Sequence, residues 1–143
     1  MITREADYGM RVILALSRGW KNGGGDHVSV GVIAQGMGIP YRFLRKIAGR
    51  MVAKGLIVSR RGKSGGLRLA RSPSKISMLD VVNAMAPESV DLSACVRDPA
   101  ICGRSKGCPI GKALGELQND LQNRMKVATF DRLSACEQCD PFR

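Results

Sequence analysis

The segment SVGVIAQGMGIPYRFLRKIAGRMVAKG, residues 29–55, decides the fold because it predicts two short helices separated by glycines. Ser29 is a suitable N-cap for the first helix, whose apolar residues follow helical i, i+3, i+4, i+7 spacing. Gly36 and Gly38 are expected to end that helix, and Pro40 suits the first turn of a second. Two short helices joined by a tight, glycine-containing turn predict a helix-turn-helix.

The second helix of this pair is apolar along one side and cationic along the other. A solvated surface is the commonest role of a basic helix face. In a helix-turn-helix, however, the second helix is the one that enters the major groove, where arginine to guanine is the commonest specific contact. The residues of this helix predicted to contact DNA are Arg42, Arg45, Lys46 and Arg50.

Two short strands with a basic, glycine-rich tip are predicted after the helix pair. LIVS (56–59) and LRLA (67–70) have the length and composition of strands, and RRGKSGG lies between them. Glycines let the backbone approach a phosphate, and the basic side chains could enter a minor groove. The residues of this hairpin, or wing, predicted to contact DNA are Arg60, Arg61, Gly62, Lys63 and Ser64.

The charge distribution supports the same interpretation. The 143 residues carry a formal net charge of +11. Residues 1–71 contain 14 Lys and Arg against 3 Asp and Glu, whereas residues 72–143 contain 9 of each. The whole excess therefore lies in the first half, which indicates a polyanion-binding first half and a different role for the second.

The second half is predicted to contain a short helix from about Ser77 to Met85, with Ser77 and Asp80 as a capping pair, and then a long helix over 109–128. Apolar residues repeat along the long helix at spacings of three and four, as in a coiled-coil seam. We expect this seam to pair with a second copy; packing on the chain's own first half is the alternative. The seam residues are Ile110, Leu114, Leu117, Leu121 and Met125.

Three of the five cysteines lie in CVRDPAICGRSKGC, residues 95–108. The N-terminus has no signal-peptide pattern and no segment is apolar enough to span a membrane, so a cytoplasmic location is expected. In a reducing compartment, cysteines indicate metal or redox chemistry more than disulfides. An iron–sulfur cluster, a zinc site that includes Cys136 and Cys139, and a thiol switch are all compatible with the loop.

The chain resembles the Rrf-two family of bacterial winged helix-turn-helix repressors over roughly residues 1–133. The resemblance rests on ADYGMRVILAL, SVGVIAQGMGIPYRFLRKI, RGKSGGLRLAR, ISMLDVVNAM and the three-cysteine loop before a long helix. The family includes the iron–sulfur cluster regulator and the nitric-oxide-sensing repressor. The resemblance implies a mostly α fold with a small β-hairpin wing, and a dimer whose long helices cross near a cluster.

The resemblance also implies the ligands of a 4Fe–4S or 2Fe–2S cluster, namely Cys95, Cys102 and Cys108. Their spacing, C-x6-C-x5-C, is longer in its first gap than is common in the family. Iron–sulfur cluster regulators carry a histidine ligand three residues after the third cysteine, where this chain has Gly111. The nitric-oxide sensor uses an aspartate near the N-terminus of the partner, and Asp7 matches that position. His27, the single histidine, is expected to be a surface residue.

The expected function is therefore that of a homodimeric DNA-binding repressor of a near-palindromic operator, controlled by a cluster that senses iron, redox state or nitric oxide. A cluster-free thiol-switch regulator and an iron–sulfur redox protein are the alternatives. No nucleotide-binding loop or catalytic set indicates an enzyme. The expected parts are a winged helix-turn-helix region (1–72), a connecting helix and loop (73–94), the cysteine loop (95–108), the dimerisation helix (109–128), and a short helix and tail (129–143).

Overall fold

The computed structural model describes residues 1–20 and 25–136, and it is mostly helical with a two-stranded hairpin, as predicted. Within these residues none of the helices is long and apolar enough to cross a membrane. Short 3-10 turns cover Pro73–Lys75, Pro87–Val90 and Pro99–Ile101. The helices are α1 (Arg4–Arg18), α2 (Val30–Met37), α3 (Tyr41–Ala53), α4 (Met78–Met85), α5 (Ala94–Arg97), α6 (Pro109–Val127) and α7 (Phe130–Ser134), and the strands are β1 (Ile57–Arg60) and β2 (Gly66–Leu69).

The helix pair α2–α3 forms because its local signals agree. Ser29 caps α2, since its hydroxyl accepts a hydrogen bond from the Val32 amide at 3.2 Å. The helix continues through Gly36 and ends at Gly38, which adopts the left-handed conformation (φ 61°) that glycine takes without strain. Pro40 is the N-cap of α3 rather than a residue of its first turn. The turn between the two helices is therefore as short as the sequence predicts.

The wing is an antiparallel hairpin in which Ile57 pairs with Leu69 and Arg60 with Gly66. Its strands lie within one residue of the predicted segments. Val28 pairs with Leu67 on the outer side of β2, so the segment before α2 extends the hairpin by a short bridge. This bridge requires glycine at position 66, because a Cβ atom there would lie 2.2 Å from the Val28 carbonyl oxygen.

The core is aliphatic and centres on α1, whose Val12 and Ile13 are fully buried. It also receives residues from the second half of the chain. The Phe130 amide donates to the Ile76 carbonyl at 2.9 Å, and the Met78 amide donates to the Ala128 carbonyl at 2.9 Å. The Phe130 ring is only 2% exposed. The start of α7 therefore packs with the first 72 residues in one core.

The α4 helix begins with the predicted capping pair. The Ser77 hydroxyl accepts from the Asp80 amide at 3.1 Å, and the Asp80 carboxylate accepts from the Ser77 amide at 2.8 Å. Such a box satisfies two amides that have no partner inside the helix. It fixes the start of α4 beside the β-bridge between Ser77 and Thr129.

Candidate functional site

The exposed face of α3 carries two arginines that are free to bind an external partner. Leu44 and Ile47 are fully buried against the core, which turns Arg42 and Arg45 toward solvent. Neither arginine forms a salt bridge with another residue in the described ranges. They are therefore the basic α3 side chains that remain available to an external partner.

The other two basic residues of α3 hold the helix to its neighbours. Lys46 Nζ lies 3.4 Å from Glu5 Oε1, and the Arg50 guanidinium forms a salt bridge with the same carboxylate. Arg50 also donates to the Met85 carbonyl at 2.6 Å. Burial acts to raise the pKa of Glu5, but its bonds to Arg50 and Lys46 outweigh this and lower it. We therefore regard Arg50 as a clamp between α1, α3 and the end of α4.

The wing and α3 face each other across a groove of about 660 Å³, lined in part by Tyr41, Arg45, Arg60 and Arg61. Within the wing, the Arg60 guanidinium donates to the Ser64 carbonyl at 2.6 Å and so braces the tip. Arg61, Gly62, Lys63 and Ser64 are exposed. Arg45 of α3 and Arg60, Arg61 and Gly62 of the wing thus border the same groove, which can accept the edge of a polyanion. Arg42 is exposed on α3 outside the lining of this groove.

The cysteine loop consists of α5, a 3-10 turn and the start of α6. Cys95 lies in α5 with its sulfur 3.0 Å from the Ser93 hydroxyl, and Cys102 follows the 3-10 turn. Cys108 is the N-cap of α6, and its sulfur accepts a hydrogen bond from the Gly111 amide at 3.4 Å. All three are free thiols that are half-buried.

Gln118 fastens the start of this loop to α6, a role that the sequence analysis missed. Its side-chain oxygen accepts from the Leu92 amide at 3.0 Å, and its amide nitrogen donates to the Asp91 carboxylate at 3.4 Å. Gln118 is 9% exposed. It lies four residues after Leu114 and three before Leu121, so a polar residue among apolar seam positions was the available signal.

The predicted metal ligands do not form a preassembled site in the single chain. Among the described residues, no three His, Cys, Asp or Glu side chains are arranged to hold a metal ion. Asp7 instead pairs with Arg11 at 2.8 Å. Cys136 is exposed, and Cys139 lies outside the described residues. The cysteine loop thus provides thiols of suitable chemistry on one segment without an assembled site.

The apolar seam of α6 divides into an exposed part and a buried part. Ile110, Leu117 and Leu121 are 70%, 57% and 39% exposed, whereas Met125 is 7% exposed and belongs to the chain's own core. Leu114 is half-buried. The end of α6 therefore packs into the chain's own core beside α4, and its beginning and middle leave apolar side chains uncovered.

Comparison with known proteins identifies relatives of this fold. The Rrf2 family model, described as an iron-dependent transcriptional regulator, matches residues 2–135. The HTH-type transcriptional regulator NsrR of Shouchella clausii is 29% identical over 116 residues, covering 80% of this chain and 75% of the relative.

Two solved structures share the architecture. CymR, the global cysteine regulator of B. subtilis, superposes with a TM-score of 0.77 at 18% identity, covering 94% of this chain and 96% of that one. IscR of T. potens superposes with a TM-score of 0.71 at 21% identity, covering 96% and 89%. These likenesses establish the fold.

Proposed function

The chain belongs to the Rrf2 family of transcriptional regulators, and from this premise we propose a homodimeric repressor whose affinity for a near-palindromic operator depends on an iron–sulfur cluster at the cysteine loop. The family and the named relatives are transcription regulators rather than enzymes. The observation that carries the proposal is the set of three free, half-buried thiols on one loop that leads directly into α6.

The DNA-binding part of the proposal rests on α3 and the wing. Arg42 and Arg45 would contact base edges in the major groove, while Arg61 and Lys63 would reach phosphates or the minor groove. A two-fold dimer joined by the exposed seam of α6 would place two such surfaces on one side of a duplex. A near-palindromic operator follows from that symmetry.

The cluster would be held by Cys95, Cys102 and Cys108, with Asp7 of the partner subunit as fourth ligand. When bound, a cluster supplies iron that responds to oxidants, nitric oxide and iron supply. Cys108 is the N-cap of α6, so a cluster held there would lie at the positive end of the helix dipole, which favours an anionic group. Asp7 would have to exchange its ion pair with Arg11 for the metal. Because Arg11 also donates to the Met37 carbonyl at 3.3 Å, that exchange would disturb the end of α2.

A cluster-free thiol switch is the second candidate, and one observation favours it. The three thiols stand free, without forming a group that could hold a metal ion among the described residues. Oxidation of one accessible thiol by a peroxide, which leaves a sulfenic acid and releases water, would then be the signal. This candidate keeps the same DNA-binding surface and differs only in what changes at the loop.

The experiment that tests the cluster is anaerobic purification with iron and acid-labile sulfide analysis and a visible absorption spectrum. We expect a coloured protein with matched iron and sulfide, and expect Cys102→Ser to lose both. Cys136→Ser is the matched control, because this cysteine is exposed and lies outside the loop. A colourless wild-type protein that remains empty after reconstitution would contradict the cluster and favour the thiol switch.

Arg42→Ala should weaken binding to the preferred duplex by about 1–3 kcal/mol and relax the preference at one base pair. Selection from a random pool followed by fluorescence anisotropy would measure both effects. Lys75→Ala is the matched control, since Lys75 is an exposed cation in the 3-10 turn outside the groove. Equal losses on selected and mixed-sequence DNA would exclude base recognition by Arg42.

A further inference from the structure

A second, cationic pocket lies beside the wing, next to the groove that borders α3. It has a volume of about 580 Å³ and is formed between the segment that precedes α2 and the hairpin. Its charged lining comprises one acid and three bases, together with the single histidine of the chain. The residues that matter for the argument are Asp26, His27, Ser29, Arg60, Lys63 and Arg68.

Strand register brings the histidine and an arginine to the same place. The antiparallel bridge between Val28 and Leu67 puts His27 opposite Arg68 on the neighbouring strand. Since Leu67 and Leu69 are buried, the alternation of side chains turns Arg68 toward the other face of the hairpin. His27 is half-buried there, at the surface of the molecule.

Arg68 has an unused hydrogen-bond donor at this pocket. Its Nε atom is buried and has no hydrogen-bond partner among the residues that the structure describes. Buried donors are nearly always satisfied, so one without a partner indicates that an acceptor is missing. With Arg60 and Lys63 also in the lining and Asp26 as the only acid in it, the missing acceptor is expected to be an anion.

The pocket adjoins the groove beside α3, because Ser29, Arg60 and Gly65 line both cavities. An anion in the pocket would therefore lie next to the surface that faces the duplex. We propose that this pocket binds one phosphate group of the DNA backbone through Arg68 and His27, and that protonation of His27 strengthens the contact. The proposal rests on the DNA-binding function proposed above and adds a phosphate site to it.

The state of His27 in the free protein gives the sign of the pH dependence. Burial lowers the pKa of His27 most, Arg60 and Arg68 lower it further, and Asp26 opposes them. The imidazole is thus neutral near pH 7 without a ligand. A phosphate beside it would raise the pKa, so the complex takes up a proton. By linkage, affinity for DNA should increase as the pH falls through the pKa that His27 has in the complex. It should level off below the pKa that His27 has in the free protein.

The direct test is an NMR titration of the imidazole, whose signals are unambiguous because untagged protein has one histidine. The pKa would be measured in the free protein, with a mixed-sequence duplex of about 30 base pairs, and with inorganic phosphate alone. We expect the duplex to raise the pKa and inorganic phosphate to change it little. An unchanged pKa in the duplex complex, or an equal shift with inorganic phosphate, would overturn the assignment to the backbone.

Binding measurements on variants separate this site from base recognition. Wild-type affinity should rise about three- to sixfold more than that of His27→Gln between about pH 8 and pH 6, if DNA raises the pKa of His27 by about one unit. The slope of log affinity against log salt concentration reports the number of phosphate contacts. Arg68→Gln should reduce the size of this slope by about one, on selected and mixed-sequence DNA alike, whereas Lys75→Gln should leave it unchanged.

The two proposals fail in different ways. Wild-type protein that does not bind duplex DNA would overturn the repressor function and this site with it. Wild-type protein that binds duplex DNA with the same pH dependence as His27→Gln would leave the repressor intact and overturn the phosphate site.

Discussion

Phe130→Ala is expected to lower the free energy of unfolding by about 3–5 kcal/mol, the cost of removing a large ring from a packed core. The ring is 2% exposed, and its backbone amide joins α7 to Ile76 at 2.9 Å. The cavity would therefore open where α7 meets α1 and the 3-10 turn at Pro73–Lys75. Chemical denaturation followed by circular dichroism would measure the change.

Leu133→Ala is the matched control, because this side chain lies in the same helix and is 36% exposed. We expect it to cost less than about 1 kcal/mol, as substitutions on surfaces do. If both variants lost equal stability, or if Phe130→Ala lost almost none, the packing of α7 onto the first half of the chain would be wrong.

Leu117→Asp is expected to weaken dimerisation by at least about a hundredfold. A buried leucine contributes about 1.5–3 kcal/mol, and in a two-fold dimer the loss occurs twice. The substitution also places two aspartate carboxylates, one from each copy, opposite each other across the interface. Leu117 is 57% exposed in the single chain, so the fold itself should survive. Sedimentation equilibrium would give the dissociation constant.

Val127→Asp tests whether the effect belongs to the seam or to any apolar residue of α6. Val127 is 63% exposed, near the end of the same helix, and outside the predicted seam. It should leave the dimer intact. A dimeric Leu117→Asp protein, or a monomeric Val127→Asp protein, would show that the copies meet elsewhere.

The parts of the fold that depend on neighbouring residues were predictable from the sequence. The cap at Ser29, the left-handed stop at Gly38 and the capping pair of Ser77 with Asp80 all act within one helical turn. Apolar spacing then identified the buried side of α3. The wing strands were displaced by one residue because the pairing of Arg60 with Gly66 is set by the turn between them.

The features that the sequence did not predict depend on residues far apart in the chain. The role of Arg50 as a clamp requires Glu5 and the Met85 carbonyl, which only the folded chain brings to it. Likewise, the His27 pocket requires the bridge between Val28 and Leu67, which aligns two segments some forty residues apart. No local pattern contains that information.

In the candidate site, too, features set by local sequence were predictable and features set by distant residues were not. The basic residues and the three-cysteine loop were found from composition and spacing, but Gln118, which ties the loop to α6, was not. Which basic residues are free was also undecided in the sequence. Among residues 1–20 and 25–136, Arg42 and Arg45 form no salt bridge, whereas Lys46 and Arg50 both pair with Glu5.

The most direct test of the account is the affinity of anaerobically purified protein for its selected duplex, measured before and after chelation removes iron. The account predicts at least about a tenfold difference in the dissociation constant between the two forms, and no such difference for Cys102→Ser, which should behave as the iron-free form throughout. Equal affinities of iron-loaded and iron-free wild-type protein would contradict control of DNA binding by the cysteine loop, even if both forms bound the duplex tightly.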